Sequence, residues 1–176
     1  MSQDTGKFRT NALDKFYTSP EIAAECIRRL RLIAPDPTTW IEPSAGSGVF
    51  LVEGATGYDI DPSDPRVRQA DFLTLELPEK CVIYGNPPFG RQSTLAKKFL
   101  RHACEKASVV AFILPRSFTK PSMQTVIPRC FHLHSEWTLP SNAFLVNGQP
   151  YNVPCVFQIW IKQETLRPVP AKVEPD

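Results

Sequence analysis

Two short runs of the sequence carry apolar side chains at nearly every position, and they constrain the fold more than any other feature. They span residues 81–85 and 108–114. Strands buried on both faces have such continuous apolar runs, and these strands occur mainly in parallel sheets that helices cover on both sides. The two runs therefore predict the centre of a parallel sheet.

Segments with helical periodicity alternate with these runs. Ser19, Pro20 and Glu21 supply a cap, a first-turn proline and a first-turn acid for a helix that ends before Pro35. A second amphipathic segment spans residues 93–107. The alternation predicts an α/β fold with a Rossmann-like, doubly wound, mostly parallel seven-stranded sheet that ends in an antiparallel hairpin strand. The predicted strands are residues 38–42, 55–60, 71–73, 81–85, 108–114, 132–139 and 153–162.

Length and composition fit a single intracellular domain. The chain has 176 residues, 42% of them hydrophobic, which is enough for one core. We expect a flexible tail at residues 1–12, the domain at 13–163 and a disordered proline-rich tail at 164–176. No apolar run reaches the ~18 residues of a membrane span, and residues 1–7 do not resemble a signal peptide. With five cysteines and no C-x-x-C pair, we expect reduced thiols in a cytoplasmic or nuclear protein without a membrane partner.

Charge is distributed unevenly along the chain. Residues 36–90 contain nine acids and three bases, whereas residues 91–129 contain eight Lys or Arg and one acid. A basic second half suits a phosphate-bearing substrate that approaches one edge of the protein. The candidate contacts are Arg91, Lys97, Arg116 and Lys120, although a solvated helix face explains Lys97 equally well.

Acids and glycines follow the first two predicted strands. Glu42 precedes a small-residue turn, through Ser44, Gly46 and Gly48, that we expect to lead into a helix at residues 49–50. The turn lacks the third glycine of the dinucleotide fingerprint, and an amine-bearing cation suits Glu42 better than a pyrophosphate. Asp59, which we favour over its neighbour Asp61, could accept both hydroxyls of a ribose.

Two further residues suit an adenine ring. Asp71 follows the third predicted strand and offers an acceptor for an adenine amino group, and Phe72 offers a ring for its face. Taken singly, each acid is explained well by a solvated strand end. Ligands bind at the carboxyl ends of strands in open α/β sheets, so acids at three successive strand ends together favour a nucleoside-bearing cofactor.

The tetrapeptide at residues 86–89 follows a buried strand. Asn86, Pro87, Pro88 and Phe89 form a stiff loop, because each proline fixes its own φ and lacks an N–H. The Asn86 side-chain oxygen and the Pro87 carbonyl could accept both hydrogens of an exocyclic amine, while Phe89 stacks on the ring that carries it. Such a loop suits methyl transfer to the amino nitrogen of a planar base.

Together these segments resemble the successive motifs of class I S-adenosylmethionine-dependent methyltransferases of the amino-methylating type. The motif order is similar to that of the gamma-type adenine-N6 methyltransferases. The resemblance rests on residues 16–20, 42–48, 58–61, 71–73 and 86–89, which read FYTSP, EPSAGSG, YDID, DFL and NPPF.

The resemblance implies a role for each matched residue. Tyr17 and Thr18 would cover the methionine end of S-adenosylmethionine, and Thr18 would bind its carboxylate. The same end would be lined by Glu42, Ser44, Gly46 and Gly48. Asp59 would bind the ribose, Asp71 the adenine amino group, and Phe72 the adenine face. Asn86, Pro87, Pro88 and Phe89 would be catalytic, and Asn86 would also contact the cofactor. An aromatic residue from the loop before the last strand would also face the target, with Phe144 as the candidate and Tyr151 as the reserve.

The chain departs from this family in one respect. Only sixteen residues follow Trp160, which leaves no room for a separate target-recognition domain. We therefore expect the protein to recognise a nucleic acid by shape or as a single strand, or to use a protein partner for recognition. DNA and RNA both stay open as substrates, although unstacked bases are the usual target in RNA.

Two other functions are consistent with the motifs. A protein-glutamine N5 methyltransferase would use the same loop, although those enzymes usually carry tyrosine in its fourth position. A non-catalytic subunit of a methyltransferase complex would have no need of Asn86 together with Asp59 and Asp71. We expect no metal site, because Cys130, His132 and His134 supply three ligands from a single predicted strand, with no fourth and with an unusual spacing.

Overall fold

A computed structural model of the chain describes residues 17–170. Residues 1–16, which include the predicted tail at 1–12 and Phe16, lie outside the described residues, as do residues 171–176 of the tail predicted at 164–176. Within this described part, the chain forms ten strands and three α-helices. The strands are β1 (Tyr17–Thr18), β2 (Trp40–Glu42), β3 (Thr56–Asp59), β4 (Val67–Gln69), β5 (Val82–Gly85), β6 (Val109–Pro115), β7 (Phe131–Thr138), β8 (Phe144–Val146), β9 (Gln149–Tyr151) and β10 (Cys155–Lys162). The helices are α1 (Pro20–Arg31), α2 (Thr94–Cys104) and α3 (Pro121–Gln124).

Seven of these strands form the main sheet, in the order β4-β3-β2-β5-β6-β10-β7. The pairs from β4 to β6 are parallel. Strand β10 lies antiparallel between β6 and β7. The predicted fold class, a mostly parallel sheet with an antiparallel hairpin strand at the end, is confirmed.

One long helix packs on each face of the sheet. The Ser19 hydroxyl accepts a hydrogen bond from Ile22 N at 3.4 Å, as predicted for the start of α1. Helix α1 then buries Cys26 and Leu30 in the core on one face. Helix α2 buries Phe99 and Leu100 in the core on the other. None of the described helices is long and apolar enough to cross a membrane.

The segment after β2 differs from the prediction. No helix begins at residues 49–50, and residues 43–55 return to β3 through turns. Phe50 is 2% exposed and fixes this loop on the core. Gly57 makes the close packing possible, since a Cβ there would lie 2.7 Å from Leu51 Cδ2 and 2.9 Å from Ala45 Cβ.

The third predicted strand is also placed differently. The edge strand is β4, at Val67–Gln69, and Phe72–Thr74 form a 3₁₀ helix. The Asp71 side chain caps this helix by accepting a hydrogen bond from Leu73 N at 3.0 Å. Asp and Asn side chains commonly make such local bonds, which compete with strand formation.

A second, three-stranded sheet in the order β1-β8-β9 was not predicted. Asn147 and Gly148 form the turn that joins β8 to β9, with φ angles of 52° and 76°. Strand β1 pairs antiparallel with β8, where Thr18 lies opposite Phe144. This sheet joins the segment before α1 to the loop before the last strand.

The structure describes residues 164–170, the first part of the tail that we expected to be disordered, and they contact the rest of the fold. Arg167 lies with its guanidinium carbon 4.8 Å from the centre of the Trp160 ring. It donates hydrogen bonds to Ile127 O at 2.6 Å and, from its main chain, to Arg129 O at 2.8 Å. Arg167 therefore anchors this segment, and composition alone does not reveal such contacts.

Candidate functional site

The candidate site lies at the carboxyl edge of the parallel strands. Glu42, Asp59 and Gly85 are the last residues of β2, β3 and β5, which are adjacent in the sheet. Parallel neighbours end at the same edge, and this edge is where open α/β sheets bind ligands. The topology therefore brings together three of the segments that the sequence singled out.

Glu42 is a buried carboxyl group at the centre of this edge. Its side chain is 1% exposed, and its Oε1 accepts a hydrogen bond from Ser44 N at 2.9 Å. Burial raises the pKa of Glu42 to about 8, against a partial opposing effect of the Ser44 N–H. A carboxyl group poised in this way can lose its proton to bind a cationic amine.

Gly85 makes room for this carboxyl group, and sequence reasoning missed it. A Cβ at Gly85 would lie 2.6 Å from Glu42 Cδ, and the φ of Gly85 is 134°, a conformation that other residues rarely adopt. The available signal was a glycine placed directly between an apolar strand and Asn86.

Asp59 is hydrogen-bonded to the turn at residues 44–48, which we call the glycine turn. Gly46 N donates to Asp59 Oδ2 at 2.9 Å, and Asp61 N donates to Asp59 Oδ1 at 2.9 Å. Each carboxylate oxygen accepts more than one hydrogen bond, so these two bonds orient Asp59 and leave capacity for hydroxyl donors. Gly46 has a φ of 50°, and a Cβ there would meet no atom closer than 3.9 Å, so the turn is open at this residue.

Gly48 has a different environment from Gly46. A Cβ at Gly48 would lie 2.6 Å from Arg66 Nη2 and 3.3 Å from Asp64 Oδ2. Arg66 and Asp64 form an ion pair at 3.0 Å. In the structure, the missing side chain of Gly48 accommodates this ion pair.

Asp71 and Phe72 follow β4 at the same edge, but only Asp71 is accessible. Asp71 is exposed, and Ala70 N donates to Asp59 O at 2.9 Å, which keeps this segment beside β3. Phe72 is 1% exposed and packs 5.1 Å from Phe99 between ring centres. The predicted packing of Phe72 on an adenine face is therefore corrected: the capped 3₁₀ turn directs the ring into the core.

Hydroxyl groups from two other segments hold Asn86. Its side-chain Nδ2 donates to Thr18 Oγ1 at 3.2 Å. Its main-chain oxygen accepts a hydrogen bond from Ser44 Oγ at 2.9 Å. The strand before α1, the glycine turn and the 86–89 loop thus meet at Asn86.

The rest of the 86–89 loop is well packed. Pro87 is buried and Pro88 is half-buried. Phe89 is also half-buried and packs against the cores on both faces of the sheet, and its main-chain oxygen accepts from Leu95 N at 3.0 Å. The loop is therefore attached to α2 behind it.

The second sheet places the remaining aromatic candidates. Tyr17 is 46% exposed, and Thr18 is buried beside Asn86. Phe144 is 1% exposed, so its predicted stacking on a target is corrected: the pairing of β8 with β1 buries the ring. The reserve candidate Tyr151, opposite Phe144 on β9, is 43% exposed.

Three of the four candidate basic residues follow strands that end at the same edge. Arg91 is exposed in the segment after the 86–89 loop, and Lys97 is half-buried on α2. Arg116 and Lys120 are exposed and follow β6, the parallel neighbour of β5. Two adjacent strand ends therefore carry exposed cations.

Cys130, His132 and His134 do not form a ligand cluster. His132 Nε2 lies 2.8 Å from Thr165 O. Among residues 17–170, no three His, Cys, Asp or Glu side chains are arranged to bind a metal ion.

The carboxyl groups at the site are suited to bind an amine-bearing nucleoside. Glu42 suits a cationic amine, Asp59 suits the hydroxyls of a ribose, and Asp71 suits an exocyclic amino group. Gly46 allows a ligand to approach the main chain closely.

No protein-family model and no curated protein sequence matches the chain. Its fold is similar to that of a proposed RNA methyltransferase from Pyrococcus horikoshii, with a TM-score of 0.63 and 18% identity over 86% of this chain and 88% of that one. It is also similar to the 23S rRNA methyltransferase ErmE, with a TM-score of 0.50 and 17% identity over 72% and 62% of the two chains. The magnesium protoporphyrin IX methyltransferase of Synechocystis, solved with bound SAM, has a TM-score of 0.54 and 8% identity over 80% and 79%. At these identities the likeness shows the Rossmann-like fold.

Proposed function

We propose that this chain is an S-adenosylmethionine-dependent methyltransferase that methylates the exocyclic N6 of adenine in a nucleic acid, with RNA as the favoured substrate. The observation that supports this most is the position of Asn86. It follows β5 beside Glu42 and is hydrogen-bonded to the glycine turn through Ser44. The 86–89 loop, which would bind the target amine, therefore contacts the glycine turn, which would bind the cofactor.

The residues present fit S-adenosylmethionine, which when bound would supply an electrophilic methyl group on its sulfonium. Glu42 would bind the cofactor's amine, Thr18 and Tyr17 its carboxylate end, and Asp59 its ribose. Gly46 would pass close to it, and exposed Asp71 would accept from its adenine amino group. Ser44 and Gly48 would shape the turn rather than contact the cofactor closely.

The 86–89 loop would act by positioning. The lone pair of adenine N6 is delocalised into the ring, which makes the nitrogen a poor nucleophile. Acceptance of both amine hydrogens, by Asn86 Oδ1 and the Pro87 carbonyl, would draw the nitrogen toward sp³ geometry and direct its lone pair at the methyl group. Correct positioning of two reactants contributes up to roughly 7–11 kcal/mol in ideal cases. The amine proton would leave to water after transfer, so no general base is required.

Phe89 and the exposed cations would bind the rest of the substrate. Phe89 would stack on the target base, and Pro88 would keep the ring in place. Arg91, Lys97, Arg116 and Lys120 would contact phosphates. A base in a duplex would first have to be flipped out, at a cost of a few kcal/mol.

One observation favours RNA over DNA: two of the similar structures, the Pyrococcus horikoshii protein and ErmE, are described as RNA methyltransferases. Recognition of an unpaired or structured base needs little surface beyond the loop. A protein partner would supply recognition if this surface is too small.

Nucleoside analysis tests this function. Tritiated S-adenosylmethionine is offered together with single-stranded DNA, duplex DNA, structured RNA or a protein lysate, and products are digested and separated. Label in N6-methyladenosine is expected, and the deoxy form would select DNA. Label in N5-methylglutamine would favour the protein-glutamine alternative, and binding without any transfer would favour a non-catalytic subunit.

A further inference from the structure

We propose that Ser44 is a positioning residue for Asn86. Its hydroxyl holds the Asn86 main-chain carbonyl in place, and so connects the glycine turn to the 86–89 loop. This inference rests on the proposed function for its catalytic consequence, whereas the contact itself can be tested separately.

The chemistry of the Asn86–Pro87 peptide makes this hydroxyl important. A peptide bond to proline has no N–H, so the carbonyl is its only polar group. The next peptide, between Pro87 and Pro88, also lacks a donor. The orientation of this part of the loop therefore depends on what donates to its carbonyls, and Ser44 Oγ donates to Asn86 O at 2.9 Å.

Ser44 has only one hydroxyl hydrogen, and two acceptors are near it. Asn86 O lies at 2.9 Å and Glu42 Oε1 at 3.4 Å from Ser44 Oγ. The shorter distance assigns the hydrogen to Asn86, since hydrogen bonds between oxygens are best near 2.7–2.8 Å. Glu42 Oε1 already accepts from Ser44 N at 2.9 Å, so the main chain of Ser44 serves the carboxyl group and its side chain serves the loop.

This division makes Ser44→Ala a selective perturbation. The variant keeps the main-chain N–H to Glu42 and removes only the donor to Asn86. We expect a loss of about tenfold in the single-turnover methylation rate, the effect of one neutral hydrogen bond. The dissociation constant for S-adenosylmethionine should change less than about threefold. Ser44→Thr, which restores a hydroxyl, should recover most of the rate.

A serine in the same turn provides the control. Ser47 lies between the two glycines and is exposed, so Ser47→Ala should leave both the rate and the affinity unchanged. A rate of Ser44→Ala within twofold of the wild-type rate would overturn the proposal. So would a loss of cofactor affinity as large as the loss of rate, because Ser44 would then act only on the cofactor.

Nuclear magnetic resonance tests the contact without any activity. The sequence contains one Asn-Pro peptide, Asn86–Pro87, so labelling Asn with ¹³C at the carbonyl and Pro with ¹⁵N gives a single carbonyl–nitrogen signal. We expect this carbonyl signal to move in Ser44→Ala and to stay in place in Ser47→Ala. An unmoved signal would refute the contact. If the wild type transfers no methyl group, the proposed function fails, and this signal still decides whether Ser44 holds Asn86.

Discussion

The buried carboxyl group of Glu42 makes the stability of the protein depend on pH in a way that one substitution should remove. The folded chain has a pKa of about 8 for Glu42, compared with an ordinary value of 4.5. The neutral form is therefore preferred in the folded state, chiefly because burial removes the carboxylate from water. Asp59 adds a smaller repulsion in the same direction.

The sign and size of the effect follow from proton linkage. Below pH 4.5 the group is neutral in both states, and its full contribution to stability is present. As pH rises from 4.5 toward 8, the unfolded chain ionises and the folded chain does not, so the free energy of unfolding falls by about 1.4 kcal/mol per pH unit. The total loss by pH 8 is roughly 5 kcal/mol, an upper bound because relaxation around the carboxylate reduces it.

The variant Glu42→Gln keeps an oxygen for Ser44 N and cannot ionise. Urea unfolding followed by circular dichroism, at intervals from pH 5 to pH 7.5, compares it with the wild type. The new amide N–H groups add a difference in unfolding free energy that does not change with pH, so the prediction concerns the slope against pH. Between pH 5 and pH 7.5, we expect the free energy of unfolding of Glu42→Gln to rise by roughly 3 kcal/mol relative to that of the wild type.

A difference in unfolding free energy that stays constant with pH would refute the reasoning. It would mean that Glu42 ionises normally and that water or a rearrangement reaches it. With saturating S-adenosylmethionine the slope of the wild type should shrink, since a cationic amine beside Glu42 would favour the carboxylate.

Three other substitutions test the placement of individual residues. Gly85→Ala should lower the free energy of unfolding by about 2–5 kcal/mol in chemical denaturation, because the Cβ would meet Glu42 and the φ of 134° is strained; an unchanged midpoint would contradict the packing. Phe72→Ala should cost about 3–5 kcal/mol of stability by the same assay, as expected for a core ring, and a fully stable variant with weakened cofactor binding would restore the role first predicted for it. Arg116→Ser should weaken RNA binding and lower the slope of log K against log salt by about 0.7 if it contacts one phosphate of a single strand; an identical slope in a salt titration would remove it from the interface.

Much of the fold is determined by local sequence signals. The apolar runs became β5 and β6, and Ser19 caps α1 as its position predicts. The loop at residues 43–55 and the β1–β8 pairing were missed, because both depend on contacts between distant segments. Gly57 shows the cause: its lack of a side chain matters only once Leu51 and Ala45 are packed on it.

The same division applies to the site. Glu42, Asp59 and Asn86 could be placed together from sequence, because parallel strands end at one edge of the sheet. The burial of Phe72 and Phe144 could not be predicted in this way, because the direction of a ring near a strand end depends on the following turn and on the neighbouring residues. Both rings are 1% exposed, and core packing explains an aromatic residue in such a position as readily as ligand binding does.

Asn86→Ala gives the most direct test of the amine-binding loop. Single-turnover transfer from S-adenosylmethionine to RNA is measured beside the dissociation constant for the cofactor, with the exposed Asn142→Ala variant as a control. We predict that Asn86→Ala binds the cofactor within about threefold of the wild type and loses transfer on the order of 100-fold or more. Transfer at a rate close to that of the wild type would contradict the central claim that Asn86 orients the target amine.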